Sequence, residues 1–302
     1  MKAEKSFLNR RTSQFLAIYE TGNIRDAAVT IGLTQPAVSM GLQQLEDELG
    51  TPLFNRSVKG VVPTSAGKIY YRYACNLRQS AIYAAQEIEE QVRGHSGTLR
   101  IGAGLAWAST FIPPVLVHIK KKFPNLTIDL VAGVADQLAE KFETGKLDLL
   151  LAAGPIEPLA SPEFLSYFLT NIPMVAMADP SHSLASHKTV SLKQLQAAEW
   201  AGFYEDDTFV YHATQFFALH GLNPPTISMR TNAIAALTEF VKSTETITLV
   251  SSPIVPRSLE AGLVILPLTE PLWEIPVKIH LRHVAAQLGP IKMFIDKIHE
   301  VI

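Results

Sequence analysis

The first fifty residues carry helix punctuation so closely spaced that few folds remain open. Gly22-Asn23, Gly32-Leu33, Thr34 with Pro36 two places on, and Gly50 cut the stretch into helices joined by turns of a few residues. Glycine adopts the left-handed conformation that ends a helix. Asn and Thr accept hydrogen bonds from first-turn amides, and proline is tolerated in that first turn. "SQFLAIYETGN" sets Phe15, Ile18 and Tyr19 at helical spacing. "IRDAAVTIG" is short, and its Ala27 and Ala28 let another helix cross closely. Val38, Leu42, Leu45 and Leu49 give the helix after Thr34 one apolar stripe. Helix, short helix, tight turn, helix is the helix-turn-helix plan.

In that plan the second helix of the pair offers its N-terminal residues to the major groove of DNA. Thr34, Gln35 and Ser39 lie at that end, off the apolar stripe, and Gln43 follows one turn on. Gln can bond adenine in a bidentate way, Ser and Thr serve either base, and Pro36 and Met40 offer apolar contact to a thymine methyl. From Asp26 to Asn55 there is no Lys or Arg. Phosphate contacts must therefore come from the flanks: Arg10 and Arg11 at the start of the first helix, Arg25 at the start of the second helix, and Arg56 and Lys59. The last two sit in "NRSVKGVVPTSAG", which reads as a two-stranded wing with Gly60 at its tip. The competing reading of 34–50 is an ordinary surface helix, and the longer context has to decide.

That context resembles the LysR-type transcriptional regulators. The resemblance rests on Ala27-Ala28, "LTQPAVS" at 33–39, "LEDELGTPLFNR" at 45–56 and "PTSAG" at 63–67, and it covers nearly the whole chain. It implies an α/β protein with an N-terminal winged helix-turn-helix over 1–66, a linker and dimerisation helix over 67–93, and a two-lobed effector-binding domain over 94–302. That domain is similar to periplasmic binding proteins. Lobe I would hold about 98–165 and 270–302 and lobe II about 166–269, with the chain crossing near 164–169 and 266–272. Family members often carry a basic residue just after the matching serine and another a turn later. Met40-Gly41 and Gln43-Gln44 stand there instead. The Gly-x-Gly pair often found between the second lobe's late helix and strand is replaced by "STETIT", Ser243 to Thr248.

After "PTSAG", Ile69, Tyr73, Leu77, Ala81, Ala84, Ile88 and Val92 recur at three- and four-residue steps over about seven turns. Two readings of this stripe stand: pairing with a second copy of the chain, and packing on its own C-terminal domain. Cys75 is the only cysteine, so no internal disulfide forms, and a buried inert thiol in a reducing cytoplasm is expected.

"GHSG" at 94–97 reads as a hinge. Beyond it, strand "TLRIGAG", helix "STFIPPVLVHIKKKF", strand "LTIDLVAG", helix "ADQLAEKFETG" and strand "KLDLLLAAG" form a doubly wound β-α-β-α-β unit. A second segment follows from "LTNIPMVAMA", with helices near 191–198 and 208–220. Ligands of such sheets bind beyond the carboxyl ends of strands. That rule selects Ala106, Trp107, Ser109 and Thr110 in "AGLAWAST", and Ala201, Gly202, Phe203, Thr231 and Asn232 in the second lobe, with Ser251 and Ser252 as weaker candidates. The pairs at 109–110 and 231–232 read as starts of helices, where free N–H groups favour a small organic anion. Trp107 reads equally as a flat wall of the site and as a packing residue.

Other chemistries find no support. Trp107 falls where a dinucleotide fingerprint needs its third glycine, and "GHSG" lacks the spacing of a nucleophile elbow. His280 and His283 do not form a paired metal site, and no cofactor is implied. "KKK" at 120–122 ends a helix and complements its dipole. No apolar run is long enough to span a bilayer, and "MKAEKSFLNRR" has no secretory core. Residues 1–93 hold 11 Lys/Arg against 9 Asp/Glu, and 94–302 hold 15 against 19, a mild bias toward an anionic partner at the N-terminal end. The expected function is a cytoplasmic, sequence-specific regulator that is not an enzyme. It binds double-stranded DNA as a homodimer or homotetramer and answers to a small organic, anionic effector held between its lobes. The alternative is a small-molecule binding or transport protein with a helical appendage.

Overall fold

The computed structural model describes residues 7–57, 60–93, 97–154, 159, 163–203 and 207–302, with the backbone alone at 56–57, 89–93 and 207–209. Helix α1 (Arg10–Thr21) starts from Asn9, whose side chain accepts from the Arg11 amide, and stops at Gly22 in the left-handed conformation. Helix α2 (Ile24–Ile31) is capped by Asn23 and closed by Gly32, and α3 (Gln35–Leu49) is capped by Thr34 and closed by Gly50. Phe15, Ile18, Ala27, Ala28, Val38, Leu42 and Leu45 meet in one buried cluster. Leu49 drops out of the expected stripe and is exposed.

The wing forms from β1 (Phe54–Ser57) and β2 (Gly60–Pro63), paired antiparallel. Gly60 has φ +127°, and a Cβ there would lie 2.5 Å from the Gly22 carbonyl oxygen, which accepts from the Val61 amide at 3.0 Å. Only glycine lets the wing sit this close to the turn between α1 and α2.

Helix α4 (Ser65–Arg93) has 29 residues, roughly 43 Å of rise. Its first turns pack on α1: Tyr71 stacks on Tyr19 with ring centroids 3.7 Å apart, and Tyr70 meets Phe15 edge-on. Further along, Gln79 and Tyr83 donate to the buried carboxylate of Asp148, and Asn76 accepts from Arg282. One face of the helix is thus buried against its own chain. The other face remains open: Ile69, Tyr73, Leu77 and Ile88 are each more than half exposed. Val92 is described by its backbone alone, and of the 94–97 hinge only Gly97 is among the described residues.

The rest is a mixed sheet flanked by helices. Its strands are β3 (Gly97–Ala103), β4 (Leu126–Ala132), β5 (Leu149–Ala153), β6 (Phe164–Ala178), β7 (Glu199–Phe203), β8 (Ile227–Thr231), β9 (Thr246–Ser251), β10 (Val264–Ile265) and β11 (Glu274–Arg282). They lie in the order β4-β3-β5-β11-β6-β9-β7-β8, with β10 on β6. β3, β4 and β5 are parallel and joined by helices α5 (Leu105–Ser109), α6 (Ile112–Lys122) and α7 (Ala135–Glu143). Helices α8 (Leu192–Ala197), α9 (Asp207–Leu219), α10 (Ile234–Lys242) and α11 (Val255–Glu260) flank the second half, and α12 (Gly289–Ile298) returns to the first.

β6 pairs with β11 through Pro173 and with β9 from Met174 onward. The chain therefore passes between lobes at 173–174, and returns near 273–274, where Trp273 still accepts from the Met174 amide before β11 begins. The crossings expected from the sequence, near 164–169 and 266–272, are thus displaced. The shift arises because β6 is one 15-residue strand that changes partner at 173–174, where its burial alternates from Ile172 to Ala176. Where family members often carry glycines, the turn into β9 is closed by hydroxyls: Thr244 donates to the Phe240 carbonyl and meets the Thr246 hydroxyl at 2.8 Å. Among the described residues no helix is long and apolar enough to cross a membrane.

Candidate functional site

The first candidate surface is the start of α3. Val38, Gly41, Leu42 and Leu45 face inward, while Thr34, Gln35, Pro36, Met40 and Gln43 are exposed and Ser39 is partly so. Gln14 of α1 is buried behind them and donates to the Ala37 carbonyl at 3.3 Å. A Cβ at position 41 would overlap the Gln14 side-chain oxygen. So Gly41 is fixed by packing, and no basic side chain fits there without displacing Gln14.

The acidic "LEDEL" segment is less negative toward solvent than its sequence suggests. Glu46 accepts from the Leu53 and Phe54 amides at 2.6 and 3.2 Å and anchors the wing, and Glu48 pairs with Arg11. Arg11 is thereby engaged, whereas Arg10 and Arg25 are exposed at the two helix starts. Arg56 lies in β1 but its side chain, like all of Lys59, is outside the described residues.

The second candidate is a cavity of about 140 Å³ between the lobes. Its wall takes Gly104–Trp107 from the end of β3 and the start of α5, and Gly133–Ala135 from the β4–α7 junction. The end of β5 adds Ala152 and Ala153, the crossing strands add Ile172, Met174, Ile275 and Val277, and lobe II adds Phe203, Leu249, Ser251 and Ile254. Of the residues selected from the sequence, Ala106, Trp107, Phe203 and Ser251 line it. Trp107 satisfies both of its readings, because it is almost wholly buried, packs on Phe111 at 5.0 Å and still forms part of the wall.

Ser109, Thr110, Gly202, Thr231 and Asn232 are not among the described lining residues, so this cavity does not contain the anion cradle expected of them. A separate short helix, α5, precedes the expected one, which begins at Ile112, so Ser109 and Thr110 stand at the far end of the first rather than at the start of the second. Ser109 donates back to the Leu105 carbonyl at 2.7 Å, and Thr110 donates across the lobes to the Pro253 carbonyl at 3.4 Å. Gly202 is buried within β7. Thr231 accepts from the Ala233 amide at 3.1 Å, a local cap, and Asn232 is exposed. Magnitudes argue the same way. A helix start favours a nearby anion by about 0.3–1 kcal/mol, whereas burying an unpaired carboxylate costs several kcal/mol.

The walls from β4, β5 and the crossing strands were not foreseen. The rule applied to β3 would have found Gly133 and Ala153, since both follow or end parallel strands of the same sheet. Ile172, Met174, Ile275 and Val277 gave no such signal, because they come from antiparallel crossing strands. The described lining has no titratable side chain, so the arrangement is suited to holding a molecule rather than to acid–base chemistry. Among the described residues no cluster of three or more metal-ligating side chains occurs.

Residues 10–68 match the family model of bacterial regulatory helix-turn-helix proteins of the lysR family, and 93–302 match the LysR substrate binding domain. The chain is 28% identical over 197 residues to the HTH-type transcriptional regulator CysL of Bacillus subtilis. That match covers 62% of this chain and 61% of the relative, so the chain spans about three fifths of the curated relative's length. A full-length OxyR variant from Pseudomonas aeruginosa has a similar fold, with TM-score 0.69 and 19% identity over 95% of this chain and 93% of that one. CbnR, solved full-length in complex with its target DNA, gives 0.61 and 19% over 97% and 99%.

Proposed function

The chain belongs to the lysR family of bacterial regulatory helix-turn-helix proteins, and from that premise we propose that it is a sequence-specific, DNA-binding transcriptional regulator. In this reading residues 1–66 bind double-stranded DNA, 67–93 join two copies of the chain, and 94–302 hold a small-molecule effector between the lobes. A shared fold does not by itself carry a function, so the reading rests on the site. The observation that carries it is the two-sidedness of α3: an inner face locked by Val38, Leu42, Leu45 and Gly41, and an outer N-terminal face of neutral hydrogen-bonding and apolar groups. Such a face reads base edges, while Arg10 and Arg25 stand at helix starts where phosphates would pass. That a protein of like fold is solved on its target DNA supports the same assignment.

The test is selection from a randomised duplex pool at a fixed salt concentration. Enrichment of a sequence with two related half-sites is expected, because a homo-oligomer presents two readers. A pool that stays random after several rounds, with binding that only tracks salt, would remove sequence specificity from the assignment.

A further inference from the structure

We infer that the molecule taken by the inter-lobe cavity is small, uncharged and mostly apolar, with one polar group, rather than an organic anion. The inference rests on the reading of this cavity as the effector site. Three observations carry it.

The first is the wall. Among the described residues seventeen line the cavity, and Ser251 supplies their only polar side chain apart from the indole of Trp107; none of the seventeen carries a charge. The second is size. About 140 Å³ is close to the roughly 150 Å³ of an apolar protein cavity known to hold benzene. A single ring with one substituent fills such a space, and a longer chain does not.

The third is the distribution of charge along the sequence. No Lys or Arg occurs in 104–119, 133–140, 153–163, 201–213, 231–241 or 251–256, the stretches that follow the strand ends of both lobes. No loop there has a cation to offer a carboxylate. Asp136 follows the lining residue Ala135 and would repel one. Basic residues outside these stretches are placed otherwise: Lys278 follows the lining residue Val277 in β11 and so points to the other face of the strand. Arg230 and Arg257 are exposed, and Arg100 lies 3.9 Å from Asp148, away from the cavity lining. A buried ion without a partner is strongly disfavoured, so the site selects the neutral member of a pair of otherwise equal ligands.

The experiment uses the full-length protein and ligand pairs of equal ring size, benzyl alcohol against benzoate and indole against indole-3-carboxylate, with benzene as a bare cavity probe. Binding is read by calorimetry and by tryptophan fluorescence, since Trp107 lies in the wall. The neutral member of each pair is expected to bind at least tenfold tighter, and Ala153→Phe, which fills the cavity from the end of β5, should abolish binding. Met174→Trp fills it from the crossing strand and serves if the first variant does not fold. Ser251→Ala should weaken benzyl alcohol and leave benzene unchanged. If the carboxylates bind equally or better and the filling variants still abolish it, the neutral class is overturned while the cavity stands as the site. If no neutral probe binds, or binding survives both filling variants, the cavity reading falls and the inference with it.

Discussion

Single residues are expected to set both recognition and acid stability. Gln35 is exposed at the first position of α3, where a bidentate contact to adenine is sterically open. Gln35→Ala is therefore expected to weaken binding to a selected operator by about 1–3 kcal/mol and to relax preference at one or two base pairs. Competition titrations against the operator and random duplex check this, and equal losses on both would show that Gln35 reads nothing. His280 acts on stability instead. It is buried in β11, shares a hydrogen bond of 2.8 Å with Ser166, and its Nε2 has no partner among the described residues. Burial, with Lys278 nearby, lowers its pKa to about 4 from 6.5. Between those values the unfolded chain binds a proton that the folded chain does not. The stabilisation is whole above pH 6.5 and is lost as the pH falls toward 4. Asp148 pulls the other way, since burial raises its carboxyl, so the difference between protein and variant is what counts. At about pH 5 relative to about pH 7.5, urea unfolding should show about 2 kcal/mol more loss in the protein than in His280→Gln. Parallel losses would acquit the imidazole.

At the scale of elements, α4 is built with two apolar sides. Tyr70, Cys75 and Tyr83 face the chain's own domains, and burial pushes the Cys75 thiol up, as for an inert packing residue. Ile69, Tyr73, Leu77 and Ile88 face outward, each more than half exposed. Leu77→Asp should leave the melting temperature of the monomeric fold nearly unchanged, because the site is already wet. It should shift the sedimentation mass to that of one chain. An unchanged mass would assign the exposed stripe some other role. Both sequence readings of this stripe therefore describe part of the helix: the two sides differ by less than a turn, and periodicity alone does not separate them. Boundaries were legible where a side chain made the cap, as at Asn23 and Thr34, or where a glycine closed the helix, as at Gly32 and Gly50, because capping is a contact over two or three residues. They were not legible at α5, whose N-cap Gly104 has no side chain to show it. Nor was the 173–174 crossing legible, since a strand keeps its alternation when it changes partners. The polarity of the cavity was hidden for the same reason, being the sum of strand ends that meet only in the folded sheet.

For the molecule as a whole, the distance between cavity and DNA reader is bridged by short rigid pieces. Ala152 and Ala153, at one end of β5, line the cavity. Asp148, just before the other end, accepts from the Arg100 amide at 2.7 Å, from Tyr83 at 2.9 Å and from Gln79 at 3.1 Å. α7 runs in parallel. Its start lines the cavity, and its last carbonyls hold Arg282, which donates to Asn76 of α4 at 3.0 Å, while Arg78 reaches the Thr144 carbonyl and pairs with Glu20 of α1 at 2.7 Å. A ligand that wedged the lobes apart or drew them together would press β5 and α7 against α4, the helix that follows the wing. Coupling of this kind is a free energy and is reciprocal: whatever the ligand does to DNA affinity, DNA does to ligand affinity. Tyr83→Phe removes one buried donor to Asp148 at a stability cost of about 1 kcal/mol and touches neither surface. We expect the variant to bind operator and the best neutral probe within about threefold of the parent when each is titrated alone, a difference under roughly 0.7 kcal/mol. The shift in operator affinity produced by saturating probe should shrink by at least half. If that shift is unchanged, the Tyr83–Asp148 contact is structural only, and the signal runs through α7 and Arg282.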